Sequence, residues 1–167
     1  MTVPIKTDSN TSAYGGSALG AYNGARYLES LRDGRNEIWY RGERVKDVTT
    51  HPELRGIAES IARIYDMQHD PETRDRMTYT EENGLRCSYS YSLPHSVEDL
   101  QKRRKNTEIW VDEVYGMCGR LPDFCASMAV GYYDLRHELS QLDPDLGKNA
   151  ENYYYFARDN DLCISHS

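Results

Sequence analysis

The sequence predicts a mostly α-helical domain with small β-hairpins. Three observations carry that reading: long segments whose apolar residues recur every three or four positions, helix-start chemistry at Thr50, Ser96 and Pro122, and an Asn83-Gly84 pair between short β-prone runs. At 167 residues the chain has room for one domain built on a single core.

Residues 1–24 are rich in Ser, Gly, Ala and Asn and show no periodicity, so they bury too little apolar surface to offset ordering entropy and are expected to form a flexible tail. A short helix is expected over 25–32, with Tyr27, Leu28 and Leu31 at helical spacing and Gly34 past its end. Residues 37–48 place β-prone pieces on either side of Arg41-Gly42-Glu43, which predicts a hairpin. Thr50 and Glu53 have capping-box spacing and Pro52 suits a first turn, so a helix should start there. Its stripe is Leu54, Ile57, Ala58, Ile61, Ile64 and Tyr65, and it should stop near Asp70-Pro71, because the residue before a proline is pushed out of helical conformation. Residues 77–93 are a second predicted hairpin, with Asn83-Gly84 at the turn and Cys87, Tyr89 and Tyr91 alternating onto one face.

Two long helices follow. Ser96 and Asp99 start the first, whose stripe of Val97, Leu100, Thr107, Val111, Val114 and Cys118 runs to Gly119. Pro122 opens the second, striped by Cys125, Met128, Tyr132, Leu135, Leu139 and Leu142. A last helix over 148–159 carries Tyr153, Tyr154, Phe156 and Ala157, and the closing residues 161–167 are β-prone.

Composition excludes several classes of function. The net charge of −7 argues against nucleic-acid binding, which rests on clustered Lys and Arg. No run approaches the roughly 20 apolar residues of a membrane span, and the first residues lack a basic-then-apolar signal pattern. No membrane partner and a cytoplasmic location are expected. Cys87, Cys118, Cys125 and Cys163 have neither the close pairs of a zinc site nor the density of a disulfide scaffold, so reduced, mostly buried thiols and no metal are expected. The 14 Tyr against 2 Phe allow either an aromatic pocket with polar tips or ordinary packing with satisfied hydroxyls. A helical class of this kind hosts many chemistries and discloses none.

Ordered sequence blocks go further. YLESLRDGRNEIWYRGERVKDVTTHPELRG, IARIYDMQHDPE, MTYTEENG, SYSLPHSVEDLQKRRK, YGMCGRLPDF and YYYFARDNDLCISHS follow one another from residue 27 onward and resemble the amino-terminal domain of the 4-hydroxyphenylacetate 3-hydroxylase family. The most specific is YGMCGRLPDF, a glycine- and methionine-containing helix end followed by Arg, a spacer, Pro-Asp and an aromatic residue.

The resemblance implies an acyl-CoA dehydrogenase-like fold, with residues 25–167 as its amino-terminal helical domain and the middle β domain and carboxy-terminal bundle absent. It further implies the oxygenase component of a two-component monooxygenase, a homo-oligomer when complete. An NADH-dependent flavin reductase supplies reduced FAD (FADH2) or FMNH2, dioxygen is activated on the flavin, and a phenol such as 4-hydroxyphenylacetate is hydroxylated ortho to its hydroxyl. The isolated chain would be inactive.

Carried over by position, Arg120 matches the family arginine that contacts the phenol oxygen and the reactive flavin edge, and His166 matches the histidine that contacts the phenol. A cation beside the phenol oxygen favours the electron-rich phenolate, and an imidazole accepts the proton. Read locally, Arg120 is a helix-end surface arginine and His166 a solvated residue near the chain end. Four residues after the arginine, where the family usually carries tyrosine, stands Phe124. On a shared helical face it would contact the substrate without a hydroxyl donor, and a core-packing role is equally open. Two other readings stand beside this one. A 4-hydroxybutyryl-CoA dehydratase-like branch of the fold would hold an iron–sulfur cluster through a cysteine pair four apart, whereas Cys118 and Cys125 are seven apart. The remaining reading is a non-catalytic helical fragment or oligomerisation module.

Overall fold

The computed structural model describes residues 19–34, 37–117 and 122–164, the last stretch with side chains from Cys125 onward. Of the expected tail, residues 1–18 lie outside the described residues. Residues 19–24 are tied down: the Leu19 and Gly20 amides donate to the Asp159 carbonyl, Ala21 to Arg86, and Tyr22 to the Asp161 carboxylate.

Helix α1, Gly24–Ser30, starts where the Asn23 side chain accepts from the Arg26 amide. It lies against α2, Arg55–Met67, so closely that a Cβ on Gly24 would come within 2.6 Å of the Ala62 carbonyl oxygen. Between them, strands β1 (Ile38–Tyr40) and β2 (Glu43–Val45) pair as expected around Arg41-Gly42, both at positive φ, which matches the twist of a tight hairpin.

The expected capping box at Thr50 and Glu53 does not form. Asp47 takes its place, accepting from the Thr49 amide and hydroxyl through its carboxylate and from the Thr50 and His51 amides through its carbonyl. Glu53 instead accepts from the Tyr40 hydroxyl and pairs with Arg41 on the hairpin. The helix therefore begins at Arg55 without a side-chain cap. Its buried face is Ala58, Ala62, Ile64 and Tyr65, and the predicted stripe residue Ile57 is 64% exposed. The close approach of α1 selects alanines over the longer side chain. Residues 70–77, not expected to be helical, turn through Asp70 into the short helix α3, Arg74–Met77.

Strands β3 (Thr78–Thr80) and β4 (Arg86–Ser88) pair with Tyr79 opposite Cys87. The predicted alternation stops at Ser88, whose hydroxyl accepts from the Ser90 amide and converts Tyr89–Tyr91 into a 3-10 turn. Ser90 is buried in place of Tyr89, while Cys87 and Tyr91 of the predicted face are both buried.

Helix α4, Val97–Glu113, opens as expected, with the Asp99 amide donating to Ser96 Oγ and the Ser96 hydroxyl to Asp99 Oδ2. Its stripe is shifted: Asn106 and Trp110 are buried, Val111 and Val114 pack beside them, and Val97 is 72% exposed. It ends before the predicted Gly119, because Tyr115 and Gly116 take positive φ and the Gly116 amide closes back on the Val111 carbonyl. The predicted single helix over 122–142 is two, α5 (Pro122–Asp134) and α6 (Arg136–Leu142), broken at Leu135. The buried face of α5 is Cys125, Ala126, Ala129 and Val130, while Tyr132, Leu135 and Leu142 of the expected stripe are exposed. Helix α7, Pro144–Asp159, begins four residues before the expected Lys148, with Asp143 capping it and Pro144 at its first position.

Among the described residues the core is divided among three clusters. Ile64, Met67, Met77 and Trp110 join α2, α3 and α4; Tyr27, Ala62 and Tyr65 join α1 and α2; Tyr91, Ala126, Ala129 and Ala157 join the 3-10 turn to α5 and α7.

Candidate active site

Two segments lead to the residues singled out by sequence, and they meet on one cluster. The first is α5, where Phe124 occupies the opening turn. The Phe124 side chain and all of Arg120 and His166 lie outside the described residues, as does Cys118. The second follows α7. Asp161 adopts a left-handed backbone (φ 46°), and the Asp161 and Leu162 amides donate to the carbonyls of Arg158 and Ala157, which turns the chain off the helix.

Residues 162–164 do not form the strand that their composition favours, and at the start of this segment tyrosine hydroxyls rather than a neighbouring strand take the carbonyls. The Tyr91 hydroxyl donates to the Leu162 carbonyl at 2.7 Å and the Tyr65 hydroxyl to that of Asp161 at 3.1 Å. Leu162 and Ile164 pack on Tyr91, Ala126, Ala129 and Ala157. Ala126 follows Phe124 by two residues in the sequence, and α5 and the 162–164 segment pack together there.

Of the two roles open to the tyrosines, packing with satisfied hydroxyls describes the inner ones: Tyr154 donates to the Tyr91 carbonyl at 2.7 Å, and Tyr91 and Tyr65 hold the 161–164 segment. Burial raises the Tyr65, Tyr91 and Tyr154 phenols above their ordinary range, so all three remain protonated donors at neutral pH. A tyrosine-lined cleft of about 480 Å³ does exist, bounded by Tyr79, Tyr89, Tyr154 and Tyr155. The arginine and the lysine on its wall are committed, since Arg158 pairs with Glu81 at 3.0 Å and Asp159 at 2.7 Å, and Lys102 with Asp99 at 3.5 Å.

Asp161 is the residue that sequence reading missed. Its Oδ2 accepts from the Tyr22 amide at 2.9 Å and Gln68 Nε2 at 2.6 Å, joining the amino-terminal segment, the end of α2 and the approach to His166. Burial pushes its carboxyl up to about 6, opposed by those two donors and by the Arg26 and His69 charges. A carboxyl with a raised folded-state value holds its proton more tightly in the folded chain than in the unfolded one. Its stabilising contribution is complete below the unfolded value and is lost as pH rises through about 6. Asp161→Asn removes that titration. The stability of the wild type relative to this variant should fall by roughly 3 kcal/mol between about pH 4 and pH 7, as read by urea unfolding at a series of pH values. A difference that is flat with pH would show that the carboxyl titrates normally.

Cys87 and Cys125 are buried free thiols, and burial pushes Cys87 up to about 12. Cys163 is exposed as a residue, but burial of its thiol pushes it up to about 11, opposed by contacts with the Tyr65 and Tyr27 hydroxyls.

Comparison with known proteins places this arrangement. The profile of the family described as 4-hydroxyphenylacetate 3-hydroxylase N terminal matches residues 23–167. The chain is 39% identical over 147 residues to the 4-hydroxyphenylacetate 3-monooxygenase oxygenase component of Thermus thermophilus, covering 88% of this chain and 30% of that protein. It is 38% identical over 165 residues to the 4-nitrophenol 2-monooxygenase oxygenase component of a Rhodococcus species, covering 94% of this chain and 31% of that protein. The crystal structure of an oxygenase component of 4-hydroxyphenylacetate 3-monooxygenase complexed with FAD and 4-hydroxyphenylacetate superposes with a TM-score of 0.79 at 39% identity, over 86% of this chain and 29% of that one. The chain thus spans about 30% of the length of these relatives. The likeness bears out the expected mostly helical, acyl-CoA dehydrogenase-like class.

Proposed function

Because the chain belongs to the 4-hydroxyphenylacetate 3-hydroxylase family, whose amino-terminal region it matches, we propose that it forms the amino-terminal helical part of the oxygenase component of a two-component, reduced-flavin-dependent monooxygenase that hydroxylates a phenol ortho to its hydroxyl. The observation that carries this reading is the unbroken family match over residues 23–167, which takes in Arg120, Phe124 and His166. The convergence of α5 and the 161–164 segment supports it.

In this reading Arg120 lies beside the phenol oxygen and favours its phenolate form, His166 accepts the phenol proton, and Phe124 borders the ring. Reduced FAD or FMN, delivered by an NADH-dependent reductase, supplies the oxygen activation. The described residues do not enclose a flavin: their broad cleft is open, and Gly24 and Gly147 are closed by helix contacts rather than offering a cradle. The flavin is therefore held largely by residues outside these, and no flavin ligand is assigned in this chain. A cytoplasmic homo-oligomer belongs to the same proposal; among the described residues no helix is long and apolar enough to cross a membrane.

The full-length enzyme, given FAD, NADH and a flavin reductase, is expected to form a catechol from 4-hydroxyphenylacetate or 4-nitrophenol. Flavin oxidation that yields only hydrogen peroxide with both phenols overturns the reading. Relatives named for either phenol match this chain at nearly equal identity, so the overall match does not separate the two substrates. Phe124→Tyr adds a hydroxyl with almost no change of shape. A buried hydrogen bond contributes about 0.5 to 1.5 kcal/mol net, so the ratio of kcat/KM for 4-hydroxyphenylacetate and unsubstituted phenol should shift by up to about tenfold. An unchanged ratio with unchanged stability would place Phe124 away from the substrate, and an unchanged ratio with lost stability would place it in the core.

A further inference from the structure

The proposed site depends on where the chain runs after α7, and Asp161 sets that course. It makes the turn with a left-handed backbone, φ 46°. Such a conformation is unfavourable for a residue with a side chain and persists where the surroundings over-determine it. A turn alone would be met by glycine, which takes this φ without strain. Aspartate adds a handle: the residue is 4% exposed, and its Oδ2 accepts from the Tyr22 amide at 2.9 Å and from Gln68 Nε2 at 2.6 Å. A buried carboxylate is costly unless it is well bonded, so these two donors hold the turn in one direction.

Each donor is itself fixed. Gln68 closes α2, and its backbone amide donates to the Tyr65 carbonyl. The Tyr22 carbonyl accepts from His69 Nε2 at 2.8 Å; on either side of it the Gly20 amide donates to the Asp159 carbonyl and the Gly24 amide to Asp66 Oδ1. The main chain of the turn is held as well, by the Tyr65 hydroxyl on the Asp161 carbonyl and the Tyr91 hydroxyl on the Leu162 carbonyl. Residues 161 and 162 are thus gripped from the amino-terminal segment, α2 and the 3-10 turn, and Leu162 and Ile164 then seat on Ala126, Ala129 and Ala157. His166 follows Ile164 by two residues in the sequence, and each residue of chain spans at most roughly 3.6 Å. A shift of the turn is therefore passed on to the imidazole.

We propose that Asp161 is a positioning residue of the hydroxylase site: clamped by the Tyr22 amide and Gln68, it sets the course of residues 161–164 and through it the place of His166 at the phenol oxygen. The inference rests on the role proposed for His166. Asp161 acts through the histidine and takes no part in the proton transfer itself.

The test is a double-mutant cycle in the full-length enzyme, supplied with FAD, NADH and a flavin reductase, with the rate of catechol formation from 4-hydroxyphenylacetate or 4-nitrophenol as the readout. Asp161→Gly keeps the turn conformation and removes the clamp. It is expected to lower the rate by about ten- to a hundredfold, the loss that a misplacement of about 1 Å brings. With His166→Ala already present, the same substitution should change the rate by less than about twofold. Asp161→Asn, whose amide oxygen can accept the same two bonds, should recover most of the rate. If Asp161→Gly does not fold, Tyr91→Phe takes its place in the cycle, removing the hydroxyl on the Leu162 carbonyl without changing the ring. No loss in the single variant, an equal fold loss with and without His166, or no recovery in Asp161→Asn would each overturn the proposal. An unchanged rate in His166→Ala alone would overturn the role of His166, and the positioning role with it.

Discussion

Replacing Arg120 with Ala in the full-length enzyme is expected to lower phenol hydroxylation by roughly two to three orders of magnitude while oxygen consumption and hydrogen peroxide release continue. The reasoning starts from the reaction. An electrophilic oxygen attacks the ring fastest when the phenol oxygen carries negative charge, and a guanidinium in a pocket closed to water stabilises that charge more strongly in the transition state than in the bound phenol. Loss of one such contact commonly costs about 2 to 4 kcal/mol. The flavin still reacts with dioxygen, so turnover becomes uncoupled rather than silent. The measurement is product formed per flavin oxidised, with thermal unfolding as a control. A yield near that of the wild type would assign Arg120 to structure, in keeping with its position two residues before the first residue of α5.

Gly147→Ala is expected to have the largest effect on stability. Gly147 is where α7 folds back on α6, and a Cβ there would fall onto the Ser140 hydroxyl and the Arg136 carbonyl oxygen. The carbonyl belongs to helix backbone and cannot swing aside, and the Ser140 hydroxyl is itself bonded to it at 2.8 Å. Relief requires α6 and α7 to separate. Overpacking costs about 1 to 3 kcal/mol and occasionally more, and the upper end of that range corresponds to a melting temperature lower by about 6 to 12 °C for a chain of this size. Gly56→Ala is the paired control: Gly56 lies in the first turn of α2, with nothing within 4 Å of the added carbon. There the substitution should leave stability unchanged or raise it by about 0.4 to 1 kcal/mol. Equal effects at both positions would show that α6 and α7 do not approach as closely as this geometry requires.

The candidate site residues Arg120, Phe124 and His166 were reached only through resemblance, from two ordered blocks more than forty residues apart at their extremes. Asp161 could not be found in the same way. It sits among other acidic and polar residues near the end of α7, and nothing in that stretch distinguishes a carboxylate buried against Gln68 and the Tyr22 amide from one in solvent. Its role depends on partners 93 and 139 residues away in the chain.

By itself the sequence determined the helical class, both hairpin turns, the Ser96 start of α4 and the family, because each rests on interactions within a few residues or on ordered local motifs. Gly42 and Gly84 supply positive φ at their turns, the Asn83 side chain accepts from the Leu85 amide, and Ser96 finds Asp99 one helical turn away. Tertiary structure decided which face each helix buries and where helices stop. Ala62 joined the expected Ala58 on the buried face of α2 and Ile57 left it because α1 approaches closely, Asn106 and Trp110 replaced Val97 and Leu100 because α4 packs on α3 and the 3-10 turn, and the Asp161 and Leu162 carbonyls, at the start of the β-prone segment, accept from distant tyrosines. Periodicity marks an apolar stripe only to within a rotation about the helix axis. The partner surface sets that rotation, and its residues lie far away along the chain.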